Sequence, residues 1–303
     1  MKKRIEALLV ILVLGFMLLR PMGVWAAPLD PDAKTSLTLH YQTDGHVFEG
    51  LSIQIHRVAQ AFPDGTFELV EPYSAYPVNI HGITMQEQWH DVAETLACYI
   101  AADAVQPDAA ERTDAAGTVF FGDLPTGLYL VREVVAENGD GTYLFNQFMV
   151  YLPTPQPDGT FCYEIEANPK CVMFVPRNQY TVTKLWKDAG HQDQRPKEVQ
   201  VEIYRDGVLQ ETQFLSAENN WTYTWQVSSE DRGQWTVVER TVKDPYDVTI
   251  HHNGGTFSIV NTWQDPTDIP PTGDRFALLP VLLTACFCGV MLVLLGLHRR
   301  RAE

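Results

Sequence analysis

From Gln179 to Trp263 apolar and polar residues alternate in short runs: YTVTKLW, EVQVEIY, VLQETQFL, WTYTWQV, QWTVVE, YDVTIH and TFSIVNT, broken by RDG, AENN, DRG, KDP and NGG. Alternation with a period of two puts successive side chains on opposite faces of a strand. About seven such strands at this spacing, with no segment of helical period, predict a β-sandwich over residues 179–263. Upstream, over residues 27–175, similar runs (SLTLHY, LSIQIHRVA, TVFFGDL, GLYLVREVV, NQFMVYLP, FCYEIEA) accompany one helical pattern, TMQEQWHDVAETLACYIAAD. Within that pattern Trp89, Val92, Ala93, Leu96 and Ile100 share a face, and Thr84 with Glu87 reads as a capping box. The expectation is a sandwich with an inserted helix over 84–103, joined to the second sandwich within Cys171–Gln179.

The two ends have a different pattern. Basic MKKR, an apolar run from Ala7 to Leu19 and VWA ending at Ala26 read as a signal peptide over residues 1–26. At the other end, in a 264–275 linker, IPPTGD is followed by an apolar run over 276–297, long enough to span a bilayer, and a basic tail over 298–303 that keeps this end cytoplasmic. This ordered trio resembles the cell-wall sorting signal of Gram-positive surface proteins (Leu-Pro-x-Thr-Gly, span, basic tail), with Ile269 in place of leucine. The resemblance implies that a sortase recognises Ile269 and Pro270, attacks the Thr272 carbonyl, releases Gly273 onward and passes Thr272 to an amine, so that the span is a temporary stop and the protein resides at the cell wall.

Charge sharpens the reading. Residues 1–26 carry four basic and one acidic side chain and residues 273–303 carry four and two, so removing both takes the net charge from −16 to −21. A surface this acidic disfavours nucleic acid and anionic lipid as partners. Cys98, Cys162 and Cys171 remain in the exported part; one bridge with a spare thiol and three buried thiols both fit. No zinc spacing is present, His251 and His252 point to opposite faces of one strand, and neither a metal nor a cofactor is expected.

The candidate chemistry lies in three polar residues on apolar faces. Lys184 alternates with Val182 and Trp186, Glu239 with Trp235 and Val237, and Asn261 with Phe257 and Ile259. Each alone would be costly to bury, so the three are expected to meet. Desolvation there lowers the lysine pKa and raises the glutamate pKa. A neutral Lys184 amine can then attack the Asn261 amide carbon while protonated Glu239 polarises the carbonyl and shuttles protons, giving an isopeptide bond and ammonia. Periodicity alone fits equally well a buried Lys184–Glu239 ion pair with Asn261 as a hydrogen-bonding neighbour.

The second sandwich resembles the Cna B-type domain through VTKLW, RPKEVQVEIYRDG, LSAENNWTYTW, WTVVE and FSIVNT. The resemblance implies two tandem Ig-like or prealbumin-like sandwiches, and it favours the cross-link, with Lys184, Glu239 and Asn261 on the family's lysine, glutamate and asparagine. Trp235 stands where tyrosine is commoner. The first sandwich resembles the amino-terminal region of the same surface proteins and pilins through LPTGLYLVREV, with Gly127, Tyr129 and Glu133. Tyr41 occupies the family's lysine place and Lys34 lies outside that strand, so no cross-link is expected there. FCYEIEANPK resembles the pilin motif that ends in Pro-Lys, which makes Lys170 the candidate acceptor of the sortase-held neighbouring subunit.

These readings converge on a sortase-processed, wall-anchored structural protein of the pilin type. Its partners would be sortase and either peptidoglycan precursor or neighbouring subunits. The other reading is a monomeric wall-anchored adhesin whose first domain holds a host or matrix ligand. No serine, cysteine or carboxylate pair sits in a recognisable catalytic setting, so no turnover activity is expected.

Overall fold

The alternating runs become strands at almost every predicted place. The computed structural model describes residues 29–265 except positions 44 and 140. The predicted signal peptide (1–26), the sorting motif Ile269–Gly273, the apolar run 276–297 and the tail 298–303 lie outside the described residues. Among the described residues no helix is long and apolar enough to cross a membrane.

In the first sandwich the strand Lys34–His40 runs parallel to Glu164–Ala167 and antiparallel to Thr118–Pro125. Against this sheet packs a second one built on Ser52–Ala61, flanked by Gly127–Val131 and then Phe148–Leu152. Leu37, Leu39, Ile53, Ile55, Phe121 and Val131 fill the space between them. Helix α1 (Gln86–Ala102) covers the opposite face of the second sheet, with Val92, Ala93, Leu96 and Ile100 on Val58, Leu128 and Leu130. Gly127–Val131 is therefore buried on both faces, and it reads as a continuous apolar run for that reason.

Several details differ from expectation. The helix begins at Gln86, with Met85 as its N-cap, and the reach-back comes from Gln88, whose side-chain oxygen accepts from the Thr84 and Met85 N–H groups at 3.0 Å. The Thr84–Glu87 box is thus shifted by one residue, because Met85 is still extended. The first strand begins at Lys34 and not after it; Lys34 nevertheless faces solvent. GLYLVREVV and FCYEIEA are each broken into two strands. Ala109–Arg112, Gly141–Phe145 and Cys171–Met173 are strands without a sequence signal. Cys98 is buried, whereas Cys162 and Cys171 are half-buried.

The second sandwich, numbered within itself, has β1 (Gln179–Lys187), β2 (Glu198–Arg205), β3 (Val208–Ser216), β4 (Thr222–Gln226), β5 (Trp235–Glu239), β6 (Tyr246–Asn253) and β7 (Thr256–Trp263). One sheet has the order β4-β1-β7-β6 and the other β3-β2-β5. Val182, Val201, Ile203, Val237, Phe257 and Ile259 form the core between them. Two α1 residues, Cys98 and Tyr99, belong to this second core. Both sandwiches are parts of one compact unit that ends at Gln264.

Candidate functional site

Alternation on β1, β5 and β7 aims Lys184, Glu239 and Asn261 into the second core. They are 2%, 2% and 1% exposed, so bulk water solvates none of them. Lys184 and Asn261 come from adjacent parallel strands of one sheet, and Glu239 faces them from the last residue of the opposing sheet's edge strand.

The carboxylate of Glu239 bridges the other two. Lys184 Nζ lies 3.3 Å from Oε2, and Asn261 Nδ2 donates to Oε1 at 2.9 Å. The ammonium also donates to the carbonyls of Leu185 and Ile259, at 3.1 and 3.4 Å, and sits 4.2 Å from the centroid of the Trp186 ring. Burial pushes the Lys184 pKa down to about 8, against the opposing pull of Glu239, and burial raises that of Glu239. Both shifts favour the neutral forms. Asn261 Oδ1 has no protein partner, and it is the amide nitrogen that meets the carboxyl. In this orientation the Glu239 carboxyl touches the amide nitrogen of Asn261 and not its carbonyl oxygen.

A neighbouring ion pair has no signature in the sequence. Asp188, which is 4% exposed, accepts two hydrogen bonds from Arg195, at 2.7 and 2.6 Å, and one from the Tyr246 hydroxyl at 3.0 Å. Arg195 lies 5.4 Å from the centroid of the Trp186 ring, whose own contact with Lys184 is given above. Arg195 holds the Asp188 carboxyl below its usual range. The pair therefore stays charged and closes the end of the sandwich beside Lys184. Its loop, KDAGHQDQR, has no periodicity from which this could be read.

Lys170 lies outside this site. It is exposed just after the Glu164–Ala167 strand, and its carbonyl accepts from Asn146 N–H at 3.0 Å. Its side chain borders an open groove of about 730 Å³ shared with Trp89, His90, Phe148 and Met149. In the first sandwich Tyr41, 1% exposed, packs edge-on against Phe145. The Tyr129 hydroxyl donates to the Pro125 carbonyl at 2.8 Å.

Comparison with known proteins places this geometry in context. A stretch of 101 residues is 37% identical to the collagen adhesin of Staphylococcus aureus; it is 31% of this chain and spans 8% of that protein's length. Among solved structures, a single B repeat unit of the collagen-binding surface protein of Staphylococcus aureus aligns over 77% of this chain and 99% of its own, at 19% identity and a TM-score of 0.27. The shaft pilin of Lactobacillus rhamnosus GG aligns over 77% and 99%, at 15% identity and a TM-score of 0.29. The full-length major pilin of Corynebacterium diphtheriae aligns over 80% and 70%, at 16% identity and a TM-score of 0.30. The family model of the Cna protein B-type domain matches residues 180–262, so the second sandwich, with Lys184, Glu239 and Asn261 inside it, belongs to that domain family.

Proposed function

We propose that this chain is a sortase-processed, wall-anchored surface protein that serves as a pilus subunit, stiffened by an isopeptide bond between Lys184 and Asn261. The observation that carries the reading is the contact of one buried carboxyl, Glu239, with both the Lys184 amine and the Asn261 amide. Burial lowers the Lys184 pKa to about 8, which brings the neutral amine within reach near neutral pH. The neutral Nζ attacks Asn261 Cγ. A proton leaves Nζ, Glu239 relays it to Nδ2, the Cγ–Nδ2 bond breaks and ammonia departs. Glu239 ends in the protonation state in which it began, and the reaction happens once per chain.

The cross-link ties β1 to β7, the first and last strands of the sandwich. Closing a loop of this length stabilises by about 4 kcal/mol on the chain-entropy model. If Thr272 of one subunit is joined to Lys170 of the next, tension runs from Lys170 to Thr272. Of the first sandwich it then loads only the short strand Cys171–Met173, leaves the first strand and Tyr41 outside the path, and crosses the second sandwich, where the cross-link lies.

Two measurements test the proposal. Intact mass spectrometry of the mature ectodomain should give the sequence mass less one ammonia. An immunoblot of wall extracts should give a ladder of polymers; a single wall-linked band would favour a monomeric adhesin.

A further inference from the structure

On one side of the second sandwich both sheets end in an open edge. β5 has only β2 as a neighbour, and β6 has only β7. Helix α1, which covers the first sandwich with one face, lies along that side with another. At the β5 edge the Tyr99 hydroxyl donates to the Glu239 carbonyl at 2.9 Å, and at the β6 edge the Ile250 N–H donates to Thr95 Oγ1 at 2.8 Å; both bonds are buried. Tyr99 is 2% exposed and is stacked on Tyr76 at 4.9 Å, so its ring has one place to be. One residue on, Arg240 pairs with Asp103 at the helix C-cap at 2.8 Å. Glu239 is the last residue of β5, and the chain turns away at Thr241 with φ 53°. Its final rung is held by β2 on one side, through Arg240 N–H to the Gln200 carbonyl at 3.0 Å, and by Tyr99 on the other.

We propose that Tyr99 of the first sandwich is a positioning residue for the cross-link in the second: by holding the Glu239 carbonyl it fixes the end of β5, so that the carboxyl touches Lys184 and Asn261 together. This rests on the reading that those two residues react. The first sandwich then sets when the second can close its own bond. The helix precedes β5 in the chain, so it leads β5 in synthesis and export.

The test follows conversion in the mature ectodomain after a pulse of expression, by intact mass, on protein that elutes as folded monomer. Wild type loses one ammonia completely. Tyr99→Phe keeps the ring and its stacking, and is expected to leave a folded population of uncross-linked chains that converts about tenfold more slowly. The alkaline limb of its pH–conversion profile moves to lower pH, because a better-hydrated Glu239 gives up its proton earlier. Thr95→Val cuts the bond at the other edge, leaves Glu239 alone, and should convert at the wild-type rate with an unchanged profile. If Tyr99→Phe does not accumulate, Asp103→Asn loosens the same end of β5 through Arg240 and should slow conversion relative to Thr95→Val. Conversion of these variants at the wild-type rate, or equal slowing by Thr95→Val, would overturn the role of Tyr99. A wild-type chain that keeps its full mass would overturn the cross-link itself, an outcome visible before any variant is compared.

Discussion

Lys184 and Asn261 face the same side of one sheet, two residues out of register: Lys184 is paired with Ile259, and Asn261 with Trp186. Because β1 and β7 run parallel, a pull that enters before Gln179 and leaves after Trp263 loads the two strands at opposite ends, in shear. All rungs of the ladder then resist together. A covalent bond at this pair would carry the load from residue 184 directly to residue 261, leaving the intervening chain outside the path.

The two ways of removing the cross-link should differ in cost. Asn261→Ala loses the loop closure, about 4 kcal/mol, but leaves Lys184 paired with Glu239. Glu239→Ala loses the same closure and also leaves the Lys184 amine buried without its partner, which costs about 3–5 kcal/mol more. Both ectodomains should keep the full sequence mass, and denaturant unfolding should place Glu239→Ala below Asn261→Ala. Equal midpoints would argue that the carboxyl does not hold the amine.

Sorting is checked at the mature terminus. Peptides from wall-released protein should end at Thr272, as the order of motif, apolar run and arginines implies. Peptides that continue through Gly273 into the apolar run would indicate a membrane anchor.

The second sandwich is legible in the sequence because strands such as β1, β2 and β6 have one buried and one solvated face, so alternation marks both the strand and its inward residues. Lys184, Glu239 and Asn261 stand out as polar side chains on apolar faces for the same reason. The strands Ala109–Arg112 and Cys171–Met173 do not, since both are short and largely solvated and hold their place by main-chain pairing to the strands beside them. Tyr99 is hidden for another reason: its partner is a backbone carbonyl 140 residues away, and no side-chain pattern encodes such a bond. The stripe of α1 that covers the first sandwich is readable from its period, whereas the residues that brace β5 and β6 are indistinguishable by pattern from the flank of any amphipathic helix.

The junction between the sandwiches should respond to pH. Burial, with help from Glu133, raises the Glu94 carboxyl to about 8, and burial raises Glu133 to about 7. Both folded values lie above the unfolded 4.5, so the folded state binds more protons in this window. The stability that these groups contribute is full below about pH 4.5 and is lost as the pH rises through 7 to 8. His252 acts in the opposite sense: burial lowers its pKa, so its contribution is lost as the pH falls below its unfolded value of 6.5. The melting temperature of the ectodomain should decline from pH 6.5 to pH 8, and Glu94→Gln should flatten that decline. An unchanged slope in the variant would assign the effect to other groups.

Lys170 is the residue at which the proposed polymerisation is tested. If it is the acceptor, Lys170→Arg keeps the positive charge but removes the nucleophile, since a guanidinium does not lose its proton at working pH. The polymer ladder should collapse to a wall-linked monomer, while the ectodomain still folds and still lacks one ammonia, because Lys170 lies outside the buried cluster. Lys34, the other lysine of the first sandwich, is exposed at the start of the first strand, and Lys34→Arg should leave the ladder intact. A ladder that survives Lys170→Arg would move the point of attachment elsewhere. If that point lay within the first sandwich, tension would have to cross strands with Tyr41 in the lysine's place, and the division of labour between a loaded, cross-linked sandwich and an unloaded one would fail with it.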